Sequence, residues 1–485
     1  MSNATHELTA QLLRRKPAAM LMSESATAGG LKRALRALDL TLLGIGAIVG
    51  AGIFVLTGVA AEKYAGPAVV LSFCVSGFAC AMAALCYAEF AAMIPVAGSA
   101  YSYAYATMGE LIGWIIGWDL VLEYAVGAAA VAVGWSGYLR VILEGVGIHL
   151  PVALTHAPGS MPGAIIDLPA LLIVLLISGI LYIGISESAR FNSLIVAVKL
   201  IVIGVVIVVG AFYVRPANWN PFAPFGWNGV MKGAAVIFFA YIGFDAVSTA
   251  AEEVVEPNRD LPIGILVSLF VCTALYVLVA AVVTGMVPAR MLDINAPLAS
   301  AFVIRGLRAV SGIISIGAVA GLTSVLLVLL LGQSRIFYAI SRDGLLPPAF
   351  SRVHPRFQTP YIPTILTGIA VGVAAALLPI QEIAELTNIG TLFAFVLVCL
   401  GVWILRYAEP GLVRPFRTPL VPLVPILGAL FCGYLMSSLP TVTWIRFFIW
   451  MGIGFVIYFG YGRYHSRVAA EARKTQADTP AARQA

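Results

Sequence analysis

Lys199 is the residue whose type and position point most directly to chemistry, because it is the only charge in the apolar run 190–214 beyond Arg190 at its edge. It lies nine residues after Arg190, which is about 13 Å of α-helix. A charge at that depth of a bilayer costs at least about 2.5–3.5 kcal/mol, so it needs a function. Burial disfavours the charged form of a lysine, which makes its proton exchangeable near neutral pH. We therefore expect Lys199 to bind and release a proton; the alternative is a side chain that extends back to the membrane surface.

Other polar side chains in apolar runs are candidates for the same site. As an ammonium, Lys199 could also stand where a sodium ion would sit and brace the first span against the eighth, with Thr323 and Ser324 as candidate oxygen partners. Their hydroxyls can equally bond carbonyls of their own helix. Glu123 lies in the third apolar run, where we expect it to face a cavity and attract an amino-bearing solute. The alternative for Glu123 is a structural carboxylate bonded to a neighbouring helix.

Two further carboxylates have structural explanations. Glu89 lies close to the end of the second apolar run, and we expect it to serve a gate or a helix cap. Asp245 follows an interrupted stretch of the sixth run, where it is placed to cap a restarting helix.

The stretch 43–54 of the first apolar run contains four glycines, which cost about 0.8–1 kcal/mol each in a helix relative to alanine. We expect the helix to unwind near Val49, Gly50, Ala51 and Gly52 and to bind a polar solute with its backbone. Broken helices are tolerated in membranes only where the freed backbone groups line a cavity or are buried in protein. The alternative is close helix packing, for which Gly46 and Gly50 have the right spacing.

The sixth apolar run repeats this interruption. Phe239, Ala240 and Ile242 precede a glycine and an acid in the middle of the run. We expect the unwound carbonyls of these three residues to face the solute and the Phe239 ring to cover it. Interrupted helices at corresponding positions of two repeats point to the binding site of a transporter.

Composition defines the class of protein. The chain is 61% hydrophobic and 11% charged, whereas soluble domains are about 45–50% apolar and about 25% charged. We expect an all-α integral membrane protein surrounded by lipid, with no nucleic-acid partner, no metal and no cofactor other than a coupling proton. Twelve apolar spans are predicted at approximately 38–62, 67–94, 111–139, 165–186, 190–214, 230–253, 262–287, 309–340, 361–379, 385–407, 421–440 and 443–462.

The spans define the predicted organisation. Residues 1–37 form an N-terminal tail and residues 464–485 a C-terminal tail. The span groups are a first repeat at 38–214, a second at 230–407 and two additional spans at 421–463. Cytoplasmic termini place 20 of the 29 lysines and arginines on the inner side, as the positive-inside rule requires. We therefore expect a multi-pass protein of the plasma (inner) membrane with both termini in the cytoplasm.

Five motifs together resemble the amino acid–polyamine–organocation superfamily: GAIVGAGIF (46–54), YAE (87–89), FAYIGFD (239–245), AAEE (250–253) and QSRIFYAISRDG (333–344). The last motif is similar to that of the cationic amino acid transporter branch. Eukaryotic members of this branch have two additional helices that the predicted spans lack, so the resemblance is to the prokaryotic type. The resemblance implies a leucine-transporter-type fold with twelve transmembrane helices, a 5+5 inverted repeat and broken helices 1 and 6.

The resemblance also implies residue roles. The substrate carboxylate would meet the second half of helix 1 around Ala51 and Gly52, and its ammonium would meet the helix 6 carbonyls. Lys199 matches a lysine that replaces sodium and couples transport to protons, and Glu123 matches a recurring glutamate. A small accessory membrane subunit is compatible with the sequence.

These observations predict a proton-coupled symporter of cationic or neutral L-amino acids that works by alternating access. The alternative is an amino acid/amine exchanger of the same fold, in which Lys199 is structural. An integral membrane enzyme or a sensor without transport is a more distant alternative, because no cluster of catalytic side chains is evident in the spans.

Overall fold

A computed structural model describes residues 11–16, 34–96, 99–183, 189–293 and 296–470 of the chain. Most of the predicted N-terminal tail and the C-terminal tail beyond residue 470 lie outside these ranges. Residues 11–16 pack against the rest of the protein, where the Lys16 ammonium binds Asp343 at 2.8 Å. The Tyr101 hydroxyl donates a hydrogen bond to the same carboxylate at 2.7 Å.

Within the described residues the protein is helical, with two isolated β-bridges and no strand. The α-helices are α1 (Ala37–Ile48), α2 (Thr57–Ala60), α3 (Val69–Met93), α4 (Ser99–Thr107), α5 (Glu110–Gly145), α6 (Leu168–Ile183), α7 (Ala189–Ala211), α8 (Gly226–Ile237), α9 (Ala246–Thr249), α10 (Pro257–Met286), α11 (Pro297–Ile304), α12 (Arg308–Arg342), α13 (Tyr361–Leu377), α14 (Ile380–Ala408), α15 (Leu423–Ser437), α16 (Thr441–Ile457) and α17 (Arg463–His465).

Eight helical segments in the described ranges are long and apolar enough to cross a membrane. They are Gly52–Met93, Glu110–Gly145, Ser193–Ala211, Gly226–Ser248, Pro257–Met286, Arg308–Arg342, Ile380–Ala408 and Thr441–Ala470. The helices α1, α6, α13 and α15 are apolar but shorter. The segment Gly52–Met93 turns at Gly66, whose φ of 61° favours glycine.

The long helices pack in two groups that together position the site. In the first group α10 packs against α1 and α3, and α8 packs against α3. In the second group α5 packs against α12 and α14, and α6 packs against α13. The helix α7 contacts α1 and α10 of the first group and α12 of the second. A side chain on α7 can therefore bind both groups at once.

Glu89 holds the connection between α14 and α15 against the end of α3. Its buried carboxylate binds the guanidinium groups of Arg406 at 2.6 Å and Arg414 at 3.2 Å. The backbone N–H of Thr418 donates to the same carboxylate at 2.7 Å. The expected gate or helix cap at Glu89 is thus an ion-pair network between elements.

Replacing Glu89 by alanine is expected to lower the free energy of unfolding by about 3–5 kcal/mol, because removing one partner leaves buried guanidinium charge uncompensated. Thermal unfolding of the purified protein measures the effect as a fall in melting temperature. Glu256→Ala is the matched control, since its pair with Arg259 is exposed and contributes little. Equal melting temperatures for the two variants would contradict a stabilising role for the network.

Candidate functional site

The first helix is interrupted at the predicted stretch. The helix α1 ends at Ile48, and Val49 adopts φ −74° and ψ 90°, which is extended backbone. After Gly50 the chain resumes helical geometry, with a π-helical turn over Gly52–Leu56 followed by α2. The unwinding expected near 49–52 therefore centres on Val49 and Gly50.

The predicted interruption of the sixth run is also present. The helix α8 ends at Ile237, and a 3₁₀ turn follows over Phe238–Tyr241. Ile242 adopts a ψ of 134°, and Gly243 has a φ of 116°, in the region that favours glycine. Helical structure resumes at Ala246, and Asp245 occupies the N-cap position of α9, although its side chain makes no capping hydrogen bond there.

The two interruptions contact each other through their backbones. A Cβ atom added to Gly52 would lie 2.1 Å from the Cα atom of Ala240. A Cβ atom added to Gly243 would lie 2.9 Å from the carbonyl carbon of Ala47. Gly52 and Gly243 therefore allow the two breaks to pack closely, whereas the helix packing suggested for Gly46 and Gly50 stays a prediction.

Side chains from other helices bind carbonyls that the breaks release. The Lys199 ammonium donates to the Gly46 carbonyl at 2.7 Å, and the Tyr276 hydroxyl donates to the Ile48 carbonyl at 2.8 Å. At the second break the Asn388 amide donates to the carbonyls of Ala235 and Val236 at 2.7 and 2.9 Å. These donors supply hydrogen bonds that lipid cannot provide. Sequence reasoning missed Tyr276 and Asn388.

Lys199 is fully buried and does not extend to the membrane surface. A Cβ on Gly321 of α12 would lie 3.1 Å from the lysine Cε atom, so the lysine stem packs against that helix. The ammonium also faces the end of α1, where the helix dipole favours a cation. Lys199 thus connects α1 with α12 through α7, the brace that the sequence suggested.

The hydroxyls predicted to accompany Lys199 bond carbonyls of their own helix. Thr323 donates to the Val319 carbonyl at 2.7 Å, and Ser324 donates to the Gly321 carbonyl at 2.9 Å. The indole N–H of Trp135 donates to the Thr323 hydroxyl at 2.9 Å. These bonds are the alternative arrangement that the sequence left open, and a role of the two hydroxyls beside Lys199 stays a prediction.

A narrow central cavity of about 30 Å³ lies between the two breaks and the helices α5 and α12. Six of the predicted substrate-binding residues line it: Gly50, Ala51, Gly52, Glu123, Phe239 and Ile242. Val49 and Ala240 belong to the breaks but are not among the described lining residues. The rest of the wall is mainly apolar and includes Gly127, Val131, Val325, Val328 and Leu329.

Three buried carboxylic acids lie near this cavity. Glu123 and Asp245 line it, and Asp119 lies one helical turn before Glu123 on α5. Among the described residues, both carboxylate oxygens of Asp119 and the Oδ2 atom of Asp245 have no hydrogen-bond partner. Two carboxylic acids thus belong to a cavity wall that is otherwise mainly apolar.

The backbone at the breaks can bind both ends of a zwitterion. The first N–H groups of a helix have no acceptor within it, and the helix dipole favours an anion there. The segment that begins at Ala51 and Gly52 therefore suits a carboxylate. Carbonyls at the second break, where Phe239 and Ile242 line the cavity, suit an ammonium group.

The family model described as "Amino acid permease" matches residues 35–461 of the chain. The protein belongs to the amino acid permease family. This result confirms the resemblance to the amino acid–polyamine–organocation superfamily that the motifs indicated. The apolar helical segments are accordingly those of a multi-pass membrane protein.

Relatives of this permease are named for different cargoes. The chain is 51% identical to the "Branched-chain amino acid permease BcaP" of Bacillus subtilis (strain 168), over 94% of this chain and 99% of the relative. It is 50% identical to the "Methylthioribose transporter" of the same organism, over 94% and 98%. It is 33% identical to the "Cationic amino acid transporter 4" of Mus musculus, over 92% and 89%.

Replacing Gly52 by alanine is expected to force the two breaks apart, because the new methyl group would overlap Ala240. Overpacking of this kind costs about 1–3 kcal/mol, so the melting temperature of the purified permease should fall. Gly179→Ala in α6 is the control, since its Cβ would meet nothing within 4 Å. A Gly52→Ala protein as stable as the control would contradict the close backbone contact.

Proposed function

We propose that this permease is a proton-coupled symporter of neutral, apolar L-amino acids that works by alternating access. The observation that carries the proposal is the central cavity, in which the bare backbone of two broken helices meets an apolar wall. Backbone groups suit the zwitterion common to all amino acids, and the wall suits an aliphatic side chain.

In this proposal the substrate carboxylate accepts hydrogen bonds from the N–H groups of Ala51 and Gly52. The substrate ammonium donates to carbonyls of Phe239, Ala240 and Ile242, and the Phe239 ring covers the bound molecule. Phe239 is buried and lines the cavity, which supports this covering position.

The side-chain end of the cavity favours branched aliphatic substrates. Val131, Val325, Val328 and Leu329 offer only hydrocarbon there, and burying aliphatic surface contributes about 25 cal/mol per Å². The name of the branched-chain permease of Bacillus subtilis agrees with this preference. A lysine or arginine side chain would need a carboxylate, for which Glu123 is the candidate on the wall.

Proton coupling is assigned to Lys199. When charged, its ammonium binds the Gly46 carbonyl and fixes the end of α1 relative to α12. Loss of the proton weakens this bond, so the first helix group is released from the second. A substrate biases the same equilibrium only through its different affinity for the two states.

The architecture that goes with this function is the twelve-span inverted repeat. This architecture is supported by the equal spacing of donor and acceptor at the two breaks. Lys199 follows its acceptor Gly46 by 153 residues, and Asn388 follows its acceptor Ala235 by 153 residues. In each half, the predicted fifth span thus binds the end of the interrupted first one. We retain a plasma-membrane location with cytoplasmic termini.

Two other functions make different predictions. An amino acid exchanger would move substrate only against a counter-substrate, with Lys199 as a structural brace. Methylthioribose is the alternative cargo, because a relative of nearly equal similarity carries that name. A thermal-shift panel of the twenty amino acids and methylthioribose separates the cargoes, since a ligand stabilises the protein that binds it. Stabilisation by methylthioribose alone would contradict the proposed substrate class.

Lys199→Met is expected to abolish the accumulation of leucine that an inward proton gradient drives in proteoliposomes. The variant has no ammonium to titrate, whereas the substrate cavity remains. Counterflow of labelled leucine without a pH gradient is the control and should persist at a measurable rate. Accumulation by Lys199→Met at the wild-type level would contradict the coupling role, and counterflow as the only activity of the wild type would favour the exchanger.

Glu123→Gln tests whether Glu123 recognises a cationic substrate side chain. If Glu123 binds a cationic side chain, loss of this charge-assisted bond costs about 1.5–3 kcal/mol, so lysine uptake should fall by about tenfold or more. Leucine uptake should change little, because its side chain meets only the apolar wall. Parallel uptake assays on one preparation measure the ratio, and equal losses for lysine and leucine would exclude selective charge recognition.

A further inference from the structure

A second cavity of about 780 Å³ lies at the opposite end of α5 from its first residue, beyond the central cavity. Its wall is charged, in contrast to the central cavity. The charged and titratable residues that line it are Lys63, Arg140, Glu144, His156, Asp167, Asp293 and Glu382. The proposed transport function uses none of them. We refer to this cavity as the vestibule.

Arg140 is the centre of the contacts in the vestibule. Its guanidinium binds the Asp293 carboxylate at 2.7 Å and lies 3.6 Å from the Glu144 carboxylate. It also contacts the Nε2 atom of His156 at 2.5 Å. His156 is buried. These contacts join α5 to the chain segments on either side of the vestibule.

The contact between Arg140 and His156 requires a neutral imidazole. A guanidinium has only donors, so the Nε2 atom of His156 must be an unprotonated acceptor. The other ring nitrogen, Nδ1, lies 3.0 Å from the Thr155 hydroxyl, which itself donates to the Pro151 carbonyl at 3.2 Å. The Thr155 oxygen is therefore available to accept the Nδ1 proton. Protonation of Nε2 would place two donors and two positive charges against each other.

Asp293 links this contact to the first broken helix. Asp293 lies in the connection between α10 and α11, and a Cβ on Gly58 of α2 would lie 3.3 Å from its carbonyl oxygen. The same Cβ would lie 2.5 Å from Pro297, the first residue of α11. The pair of Arg140 with Asp293 thus fixes this connection between α5 and the second half of the first helix.

We propose that His156 is a proton-binding site separate from Lys199, and that its protonation opens the vestibule by displacing Arg140 from Asp293. A proton on His156 repels the guanidinium and attracts the carboxylates of Asp293 and Glu144. The inference rests on alternating access but not on proton coupling at Lys199.

We call the arrangement in which Arg140 contacts both Asp293 and His156 closed. In this arrangement the surroundings of His156 favour the neutral imidazole, as the proposal requires. Burial and the Arg140 charge lower the pKa of His156, and Asp293 opposes this shift in part. In an open vestibule the imidazole would have its ordinary pKa of about 6.5. Above that pH both states are neutral and the histidine contributes nothing. As the pH falls below it, the open state gains a proton that the closed state excludes, so acid favours opening.

Asp167 titrates in the opposite direction and must be separated from His156. Burial raises the pKa of Asp167 to about 7, against the hydrogen bond from Ser136 and the Arg140 charge. Protonation of Asp167 would therefore stabilise the closed arrangement as the pH falls. Lys63 and Glu382 line the vestibule without a resolved contact to His156 among the described residues.

The test measures how fast a cysteine in the vestibule reacts with a hydrophilic maleimide. Val133→Cys places a thiol on its buried wall, and the parent chain gives the background from its own cysteines. Labelling of the purified full-length permease is compared at pH 5.5 and pH 7.5 with His156 or with His156→Gln. For each protein, the labelling rate at pH 5.5 is divided by the rate at pH 7.5, and the ratio with His156 is then divided by the ratio with His156→Gln. This quotient cancels the titration of the thiol and the effect of Asp167, which the two proteins share.

The quotient is expected to reach at most about ten. One proton that binds only the open state, at a pKa of about 6.5, changes the population of that state by no more than this factor between the two pH values. Asp293→Asn should label quickly at both pH values and bring the quotient close to one. Asp167→Asn should leave the quotient unchanged. A quotient of one in the Val133→Cys protein, or slow labelling of its Asp293→Asn variant at pH 7.5, would overturn the proposal. His156→Asn repeats the comparison with a second neutral side chain.

Discussion

The structure depends on one contact, in which the backbones of two interrupted helices meet without intervening side chains. Gly52 faces Ala240 and Gly243 faces Ala47 at distances that allow no Cβ atom. This contact places the beginning of one helical segment and the carbonyls of another around a single cavity. The same glycines that weaken each helix therefore create the cavity that we propose as the binding site.

Breaking a helix in an apolar environment releases carbonyls that must find donors. Tyr276 and Asn388 supply neutral donors, whereas Lys199 supplies one that can lose its proton. The structural requirement at the end of α1 is thus met by a titratable group on α7, the helix that contacts both helix groups. In the proposed mechanism, the hydrogen bond that stabilises the break also senses the proton.

The sequence alone predicted the features whose residues are energetically unfavourable in an apolar helix. Glycines in the middle of an apolar run and an isolated lysine stand out, and both breaks and the burial of Lys199 are present in the structure. Tyr276 and Asn388 were missed because a tyrosine or an asparagine in a span is not costly enough to be distinguished from ordinary packing. The vestibule was missed because Arg140 and Asp293 are 153 residues apart and only the fold brings them together.

The central claim is that backbone groups at the two breaks hold a zwitterionic amino acid. An experimental structure of the permease with bound L-leucine tests it most directly. The account predicts the leucine carboxylate within hydrogen-bonding distance of the Ala51 and Gly52 N–H groups and the ammonium at carbonyls of the Phe239–Ile242 stretch. Leucine bound elsewhere, or two helices that run uninterrupted through these residues, would contradict it.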